Sequence, residues 1–196
     1  MKIKIKIAFL VITGTMLYGV VSWGSTYKGA GIMPYAINPI TGATELLLSR
    51  ECQGRASGKW SDFGGKRDWF EDDAQETALR EYCEESNELC GGYDAMKLSL
   101  KKHTTYRLEA DGYVMFFVRV AYKQNYNKDF QERLLKAPTH CHKEKDLVLW
   151  VSLDKVLTSC RYNSACVVGT EKIVLRNCFV NFLQAEMCKS VLAELA

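Results

Sequence analysis

Four glutamates, Glu81, Glu84, Glu85 and Glu88, sit at i, i+3, i+4 and i+7, a short distance downstream of the glycine pair Gly64-Gly65. On a helix those spacings project all four carboxylates from one face. Like charges so placed repel by about 0.2 to 0.5 kcal/mol per pair when exposed, and the one nearby counter-charge is Arg80, four residues before Glu84. A divalent cation would relieve the remaining repulsion, because Mg2+ and Mn2+ prefer oxygen ligands and Mg2+ takes a few carboxylates together with phosphate oxygens. Glycines let a backbone come close to a ligand. The pattern therefore suits a cation held against a diphosphate, with a solvated acidic face as the plainer alternative.

The elements that must position these groups are legible in outline. From Asp73 to about Glu88 the residues are good helix formers without Pro or Gly, and Asp72 or Asp73 can cap the start. Ala74, Ala78, Leu79, Tyr82 and Cys83 give that helix a surface to bury. Ala30 to Ile37 and Thr44 to Glu51 read as strands joined by the turn Asn38-Pro39-Ile40-Thr41-Gly42. Thr104 to Leu108 and Tyr113 to Tyr122 read as a hairpin across Glu109-Ala110-Asp111-Gly112. Further on, Asn127 to Lys136 predicts a short helix and Leu147 to Ser152 a strand. Asn177 to Leu195 predicts a longer amphipathic helix, with Phe179, Phe182, Leu183, Met187 or Cys188, Val191 and Leu195 inward. Repeats, low-complexity segments and interdomain linkers are not visible.

The segment from Gly65 onward resembles the Nudix box, whose pattern is G, five residues, E, seven residues, then R-E-U-x-E-E-x-G-U, with U aliphatic. Gly65 matches the first glycine, and Arg80-Glu81-Tyr82-Cys83-Glu84-Glu85 matches R-E-U-x-E-E, with Tyr82 in the aliphatic position. The lead-in Trp60-Ser61-Asp62-Phe63-Gly64-Gly65-Lys66 is similar to the strand and turn before the box, and Ala30-Gly31 and Asp146 to Val151 also look familiar for the family. The loop carries one extra residue: counting back from Arg80 selects Asp72 as the first acid, and counting forward from Gly65 selects Glu71. Asn87 stands where the family has its last glycine, and Glu88 where it has an aliphatic residue; Asn tolerates a left-handed helix end.

That resemblance implies an α/β fold, a Nudix-like α/β/α sandwich with a mixed sheet between helices. It implies hydrolysis of a diphosphate linkage in a nucleoside diphosphate derivative. Carried over residue by residue, Glu81, Glu84 and Glu85 would be ligands of Mg2+ or Mn2+, and Gly65 a carbonyl ligand. Arg80 would orient the glutamates, so that Arg80, Glu84 and Glu85 form the catalytic set. A metal ion neutralises the diphosphate and activates water, so no covalent nucleophile is needed. Either Glu84→Gln or Glu85→Gln is expected to cut turnover while leaving a cooperative fold. A Nudix-fold module that binds a nucleotide without turnover is the alternative, and a disulfide-stabilised exported interaction domain is a third.

The amino terminus has the layout of a secretory signal. Three lysines within residues 1–6 precede a mostly apolar run of 17 residues, 7–23, and small residues Ser22 and Gly24 sit two apart at its end, before Ser25. The expectation is a signal over 1–24, a Nudix-like domain over 25–196, and export to the periplasm or beyond the cell. An uncleaved anchor over 7–23 is the rival, and would be the chain's one contact with membrane. The whole chain has 26 Lys and Arg against 23 Asp and Glu; without the three signal lysines the balance is 23 against 23. With no basic stripe, a small nucleotide is the better partner and a nucleic acid polymer is not expected.

All eight cysteines lie beyond the signal. In an exported chain they permit disulfides, Cys160 with Cys166 and Cys178 with Cys188 being candidates to tie the carboxyl-terminal segment. Cys83, inside the box helix, fits packing or a disulfide better than nucleophilic catalysis. His140-Cys141-His142 lacks the spacing of a zinc site and reads as a loop. Among residues outside the box, Glu144 is a candidate for an additional catalytic glutamate. Trp60, Trp69, Phe70 and Arg50 are candidates to contact a base, with packing an equal explanation for the aromatics. Tyr106 is a weak pointer toward dinucleoside polyphosphates, and the lack of proline between Leu89 and Ala110 removes a mark of ADP-ribose hydrolases.

Overall fold

The strands β1 (Gly29–Ile37) and β2 (Thr44–Glu51) pair antiparallel across the Asn38 to Ala43 turn, in a computed structural model that describes residues 27–138, 141–185 and 192–195. Both candidate amino-terminal segments, the signal over 1–24 and the anchor over 7–23, lie outside the described residues. Asn38 shapes the turn: its side-chain oxygen accepts from the N–H groups of Ile40 and Thr41. Next come two short strands, β3 (Trp60–Ser61) and β4 (Phe63–Lys66), interrupted only at Asp62; β3 pairs with the end of β2, and β4 with the start of β1.

Helix α1 (Ala74–Ser86) carries the box, and α2 (Tyr93–Leu100) follows it. A hairpin of β5 (Thr105–Ala110) and β6 (Tyr113–Arg119) turns at Asp111 and Gly112, both at positive φ (53° and 79°). Two consecutive left-handed residues twist in the sense that antiparallel strands require. Strand β6 lies parallel to β1, so the sheet is mixed. After α3 (Tyr126–Leu134), strand β7 (Lys145–Ser152) pairs with the free side of β2. The chain ends with α4 (Leu153–Tyr162), the small hairpin β8 (Cys166–Val168) and β9 (Glu171–Ile173), and α5 (Asn177–Gln184).

Alternation along the strands builds two cores. On one face Ile32, Leu47, Phe116 and Val148 pack with Ala78, Leu79 and Tyr82 of α1 and Phe130 of α3. On the other, Met33, Leu46, Leu48, Phe117 and Val151 pack with Val156 of α4 and Phe179, Phe182 and Leu183 of α5. This is the α/β/α sandwich with a mixed sheet that the sequence predicts.

Several expectations change. The long helix expected over Asn177 to Leu195 stops at Gln184, because Ala185 turns to an extended conformation (φ −59°, ψ 138°). Leu195 is buried as expected; Met187, Cys188 and Val191 lie outside the described residues. Cys160 and Cys166 are free thiols rather than a disulfide, Cys160 within the second core and Cys166 packed against it, where each acts as a small apolar filler. Cys178 is an exposed thiol, and its candidate partner Cys188 is not described. Among the described residues no helix is long and apolar enough to cross a membrane.

At the end of α1, Asn87 adopts the left-handed conformation (φ 50°, ψ 41°) that its type allows, and Glu88 follows at φ 58°. Glu88 has therefore left the helix and does not extend the acidic face. A left-handed residue with a Cβ is strained by about 1 to 2 kcal/mol, partly offset here by the chain entropy that a glycine would lose on folding. Glu88→Gly should stabilise the protein by about 0.5 kcal/mol, read as a higher urea midpoint at unchanged slope.

Candidate metal and substrate site

The box helix starts where Asp73, extended, accepts a hydrogen bond from the Gln75 N–H. One face of α1 packs on β1 and β4, which brings Glu81 against the glycine turn. An added Cβ on Gly65 would stand 2.5 Å from the Glu81 carboxylate, so glycine here makes room for that carboxylate. Gly64 is tighter: a Cβ would meet the Tyr113 hydroxyl at 2.1 Å and the Gly31 Cα at 2.5 Å. Gly65→Ala should therefore leave the fold cooperative, since the far end of a flexible side chain can move, while displacing Glu81 and lowering turnover roughly tenfold to a hundredfold. Comparing initial rates with thermal melts separates the two effects.

Arg80 organises the acids. Its Nε donates to Glu71 at 2.8 Å, its Nη1 to Glu81 at 2.8 Å and to Glu84 at 3.3 Å, and its Nη2 to the Lys66 carbonyl at 3.0 Å. Glu71 also accepts from the Thr77 hydroxyl at 2.6 Å and the Asp68 N–H at 2.8 Å. Burial alone would raise the Glu71 pKa, but these hydrogen bonds outweigh it and hold the carboxyl below its ordinary value. Asp72 is 99% exposed and, among the described residues, meets only Arg67, at 3.6 Å. The fold thus selects Glu71 as the first acid of the box, separated from Gly65 by five residues, and the extra residue falls between Glu71 and Arg80.

Glu81 is pushed up to about 7 by burial, against the pull of Arg80. The charges of Glu84 and Glu144 add to that rise. Glu84 remains partly open to solvent (30%). Glu85 instead points inward. Its Oε2 accepts from the Gly64 N–H at 2.7 Å, and its Oε1 lies 3.2 Å from Lys145 Nζ. Burial raises the Glu85 pKa and Lys145 opposes that rise.

Sequence reasoning missed the partners behind Glu85. Lys145 Nζ reaches Glu51 Oε1 at 2.6 Å, and Arg176 Nη1 reaches the same oxygen at 2.9 Å. Beside them the Tyr113 hydroxyl donates to Asp62 Oδ2 at 2.7 Å, and burial raises the Asp62 pKa. No local pattern could have found them, because Glu51 and Lys145 meet only through the pairing of β2 with β7. Among the described residues no three His, Cys, Asp or Glu side chains converge as a ready metal cage; the carboxylates are turned onto Arg80 and Lys145. The donor chemistry nonetheless fits a hard cation, since Glu71, Glu81 and Glu84 outnumber the single guanidinium that holds them.

A cavity of about 350 Å3 opens next to the glycine turn, lined by Gly64, Gly65 and Lys66 on one side and by Tyr113, Arg176, Phe179 and Phe182 on the other. Lys28 also borders it. Of the residues expected to contact a base, Trp60 is fully buried in the core and cannot. Arg50 is occupied by Asp146 at 2.8 Å and Glu171 at 3.2 Å. Trp69 and Phe70 are exposed on the box loop, edge to face with ring centroids 5.7 Å apart. Burial pushes the Cys83 thiol up to about 12 and the Cys160 thiol to about 11, away from the thiolate a nucleophile needs.

Strand, glycine turn, loop and acidic helix form one unit. No family model matches the chain, and no curated protein matches it. Solved structures resemble it in chain path. RenU, a Nudix hydrolase of M. smegmatis, is 20% identical, with 88% of this chain and 90% of that one covered and a TM-score of 0.47. The Nudix domain of Shewanella oneidensis NrtR, solved with ADP-ribose, is 14% identical, with 86% and 87% covered and a TM-score of 0.46. A C. elegans Ap4A hydrolase is 17% identical, with 67% and 84% covered and a TM-score of 0.40. The fold assignment itself rests on the strand order and the two cores.

Proposed function

We propose that this protein is a metal-dependent hydrolase of the Nudix type that cleaves a diphosphate linkage in a nucleoside diphosphate derivative. The observation that carries the reading is Arg80 holding Glu71, Glu81 and Glu84 together at the edge of the glycine turn, beside an open cavity. Glu81 and Glu84 would hold Mg2+ or Mn2+; the motif adds the Gly65 carbonyl and Glu85 to the set, and Glu85 is here engaged by the Gly64 N–H and Lys145. A bound divalent ion supplies charge neutralisation of the diphosphate and a more acidic attacking water.

The chain's own residues do the rest. Lys28, Lys66 and Arg176 at the cavity provide positive charge for phosphate oxygens, and Phe179 with Phe182 offers an apolar wall for a base or sugar. Arg80 keeps the carboxylates gathered at the glycine turn, where they need to turn from the guanidinium toward an ion. The test is a screen of purified protein with Mg2+ and with Mn2+ against a panel of nucleoside diphosphate derivatives. Release of a nucleoside monophosphate is expected; binding without release from any of them would favour the nucleotide-binding module instead.

The proposed setting is outside the cytoplasm, on the strength of the basic and then apolar amino terminus. Amino-terminal sequencing of protein recovered from its host should find a start near residue 25, and an intact Met1 would rule out cleavage.

A further inference from the structure

Lys145 is a buried cation that the catalytic reading leaves without a role. Its side chain is 0% exposed, and Nζ bridges Glu51 at 2.6 Å and Glu85 at 3.2 Å. An irregularity in the β2–β7 ladder puts it there: Arg50 stands opposite Leu147, yet Glu51 stands opposite Lys145, so the register skips Asp146. Such a bulge re-aims a side chain. Asp146 turns out to Arg50, while Lys145 turns in beneath the box helix.

The charges divide into two groups. In the inner one, Lys145 and Arg176 pair with Glu51 and Glu85, and Asp62, held by the Tyr113 hydroxyl, lies beside them. In the outer one, Arg80 alone serves Glu71, Glu81 and Glu84. Glu85 has one oxygen on the Gly64 N–H and the other on Lys145, so both of its oxygens are engaged, whereas Glu84 keeps access to solvent.

We infer that Lys145 is a built-in cation that withdraws Glu85 from the divalent site, leaving the metal to Glu81 and Glu84. This rests on the proposed metal site and makes Lys145 a positioning residue. A protein-borne ammonium takes a place where a box with these three glutamates could otherwise accommodate a further ion, and the site accordingly holds fewer divalent ions than its carboxylate count permits. A lysine can do this because its compact charge needs only carboxylate oxygens around it and is fixed to the fold.

The experiment counts Mn2+ ions per chain by equilibrium dialysis and by the electron paramagnetic resonance signal of free Mn2+. Lys145→Met should bind one more ion per chain than the wild type, and Lys145→Arg should bind the wild-type number. Because Lys145→Met leaves Glu51 and Glu85 buried without their ammonium, it is paired with Lys145→Met/Glu51→Gln, which removes one charge of each sign and should also gain an ion. Folded variants that bind the same number of ions as wild type, with affinity within about twofold, overturn the inference. A wild type that binds no Mn2+ removes the proposed metal site, while an ion gained on loss of Lys145 would still uphold its role as the resident cation; no ion in either protein overturns both.

Discussion

Arg80→Met is expected to melt well below the wild type and to be inactive. The Arg80 side chain is 24% exposed, and its guanidinium touches Glu71, Glu81 and Glu84, Asp68 at 3.5 Å and the Lys66 carbonyl. Removing it leaves the nearly buried Glu71 without its cation, although Thr77 and the Asp68 N–H still donate to it. Breaking a buried pair on one side costs about 3 to 5 kcal/mol, and the partial exposure of Arg80 puts the loss near the lower figure. For a protein of this size that is a fall in Tm of roughly 6 to 12 °C. Arg80→Lys should recover only part of it, because one ammonium cannot fork between Glu71 and Glu81. Thermal unfolding followed by circular dichroism measures both. A melt of Arg80→Met within about 1 °C of wild type would mean that the box loop is held by something else.

How far such a role is legible in sequence depends on how local its cause is. The box helix could be read because its determinants are neighbours: Asp73 caps it, Ala74, Ala78, Leu79 and Tyr82 give it a buried stripe, and Asn87 ends it. Strand β2 could be read to the residue for a similar reason. Counting could not choose between Glu71 and Asp72, because both are acids one position apart; burial and three hydrogen-bond donors choose Glu71. Helix α4 also carries a local signal, Ser152 as cap followed by buried Leu153, Val156 and Cys160. Helix α5 is shorter than its sequence predicts because apolar spacing continues to Leu195, and neither Gly nor Pro marks the stop at Ala185.

The inner charge cluster lies at the other extreme. Glu51, Asp62, Glu85, Tyr113, Lys145 and Arg176 come from six different parts of the chain, and a single ladder irregularity decides that Lys145 rather than Asp146 faces inward. Its consequence for function is direct. The sequence motif treats Glu84 and Glu85 as equivalent probes of a metal site, but the structure separates them. Glu85→Gln would disturb a buried pair with Lys145 and an acceptor for the Gly64 N–H, so a loss of activity there would mix folding with chemistry.

Glu84→Gln is the clean probe, and it is expected to reduce turnover by about a hundredfold or more with a melt within about 2 °C of wild type. Glu84 is 30% exposed and accepts one hydrogen bond, at 3.3 Å from Arg80, which an amide oxygen can still accept. The substitution preserves size and shape and removes one negative charge from the outer group, so any loss in stability is that of a weak, partly screened pair. The charge matters far more to a divalent ion. A neutral amide is a poorer ligand, and the ion's contribution to transition-state charge neutralisation falls with it. Activity should therefore depend on Mn2+ concentration more steeply in Glu84→Gln than in wild type, with part of the loss recovered at high Mn2+. Full turnover at low metal concentration in a folded Glu84→Gln protein would remove Glu84 from the site and leave Glu81 and the glycine turn to hold the ion alone.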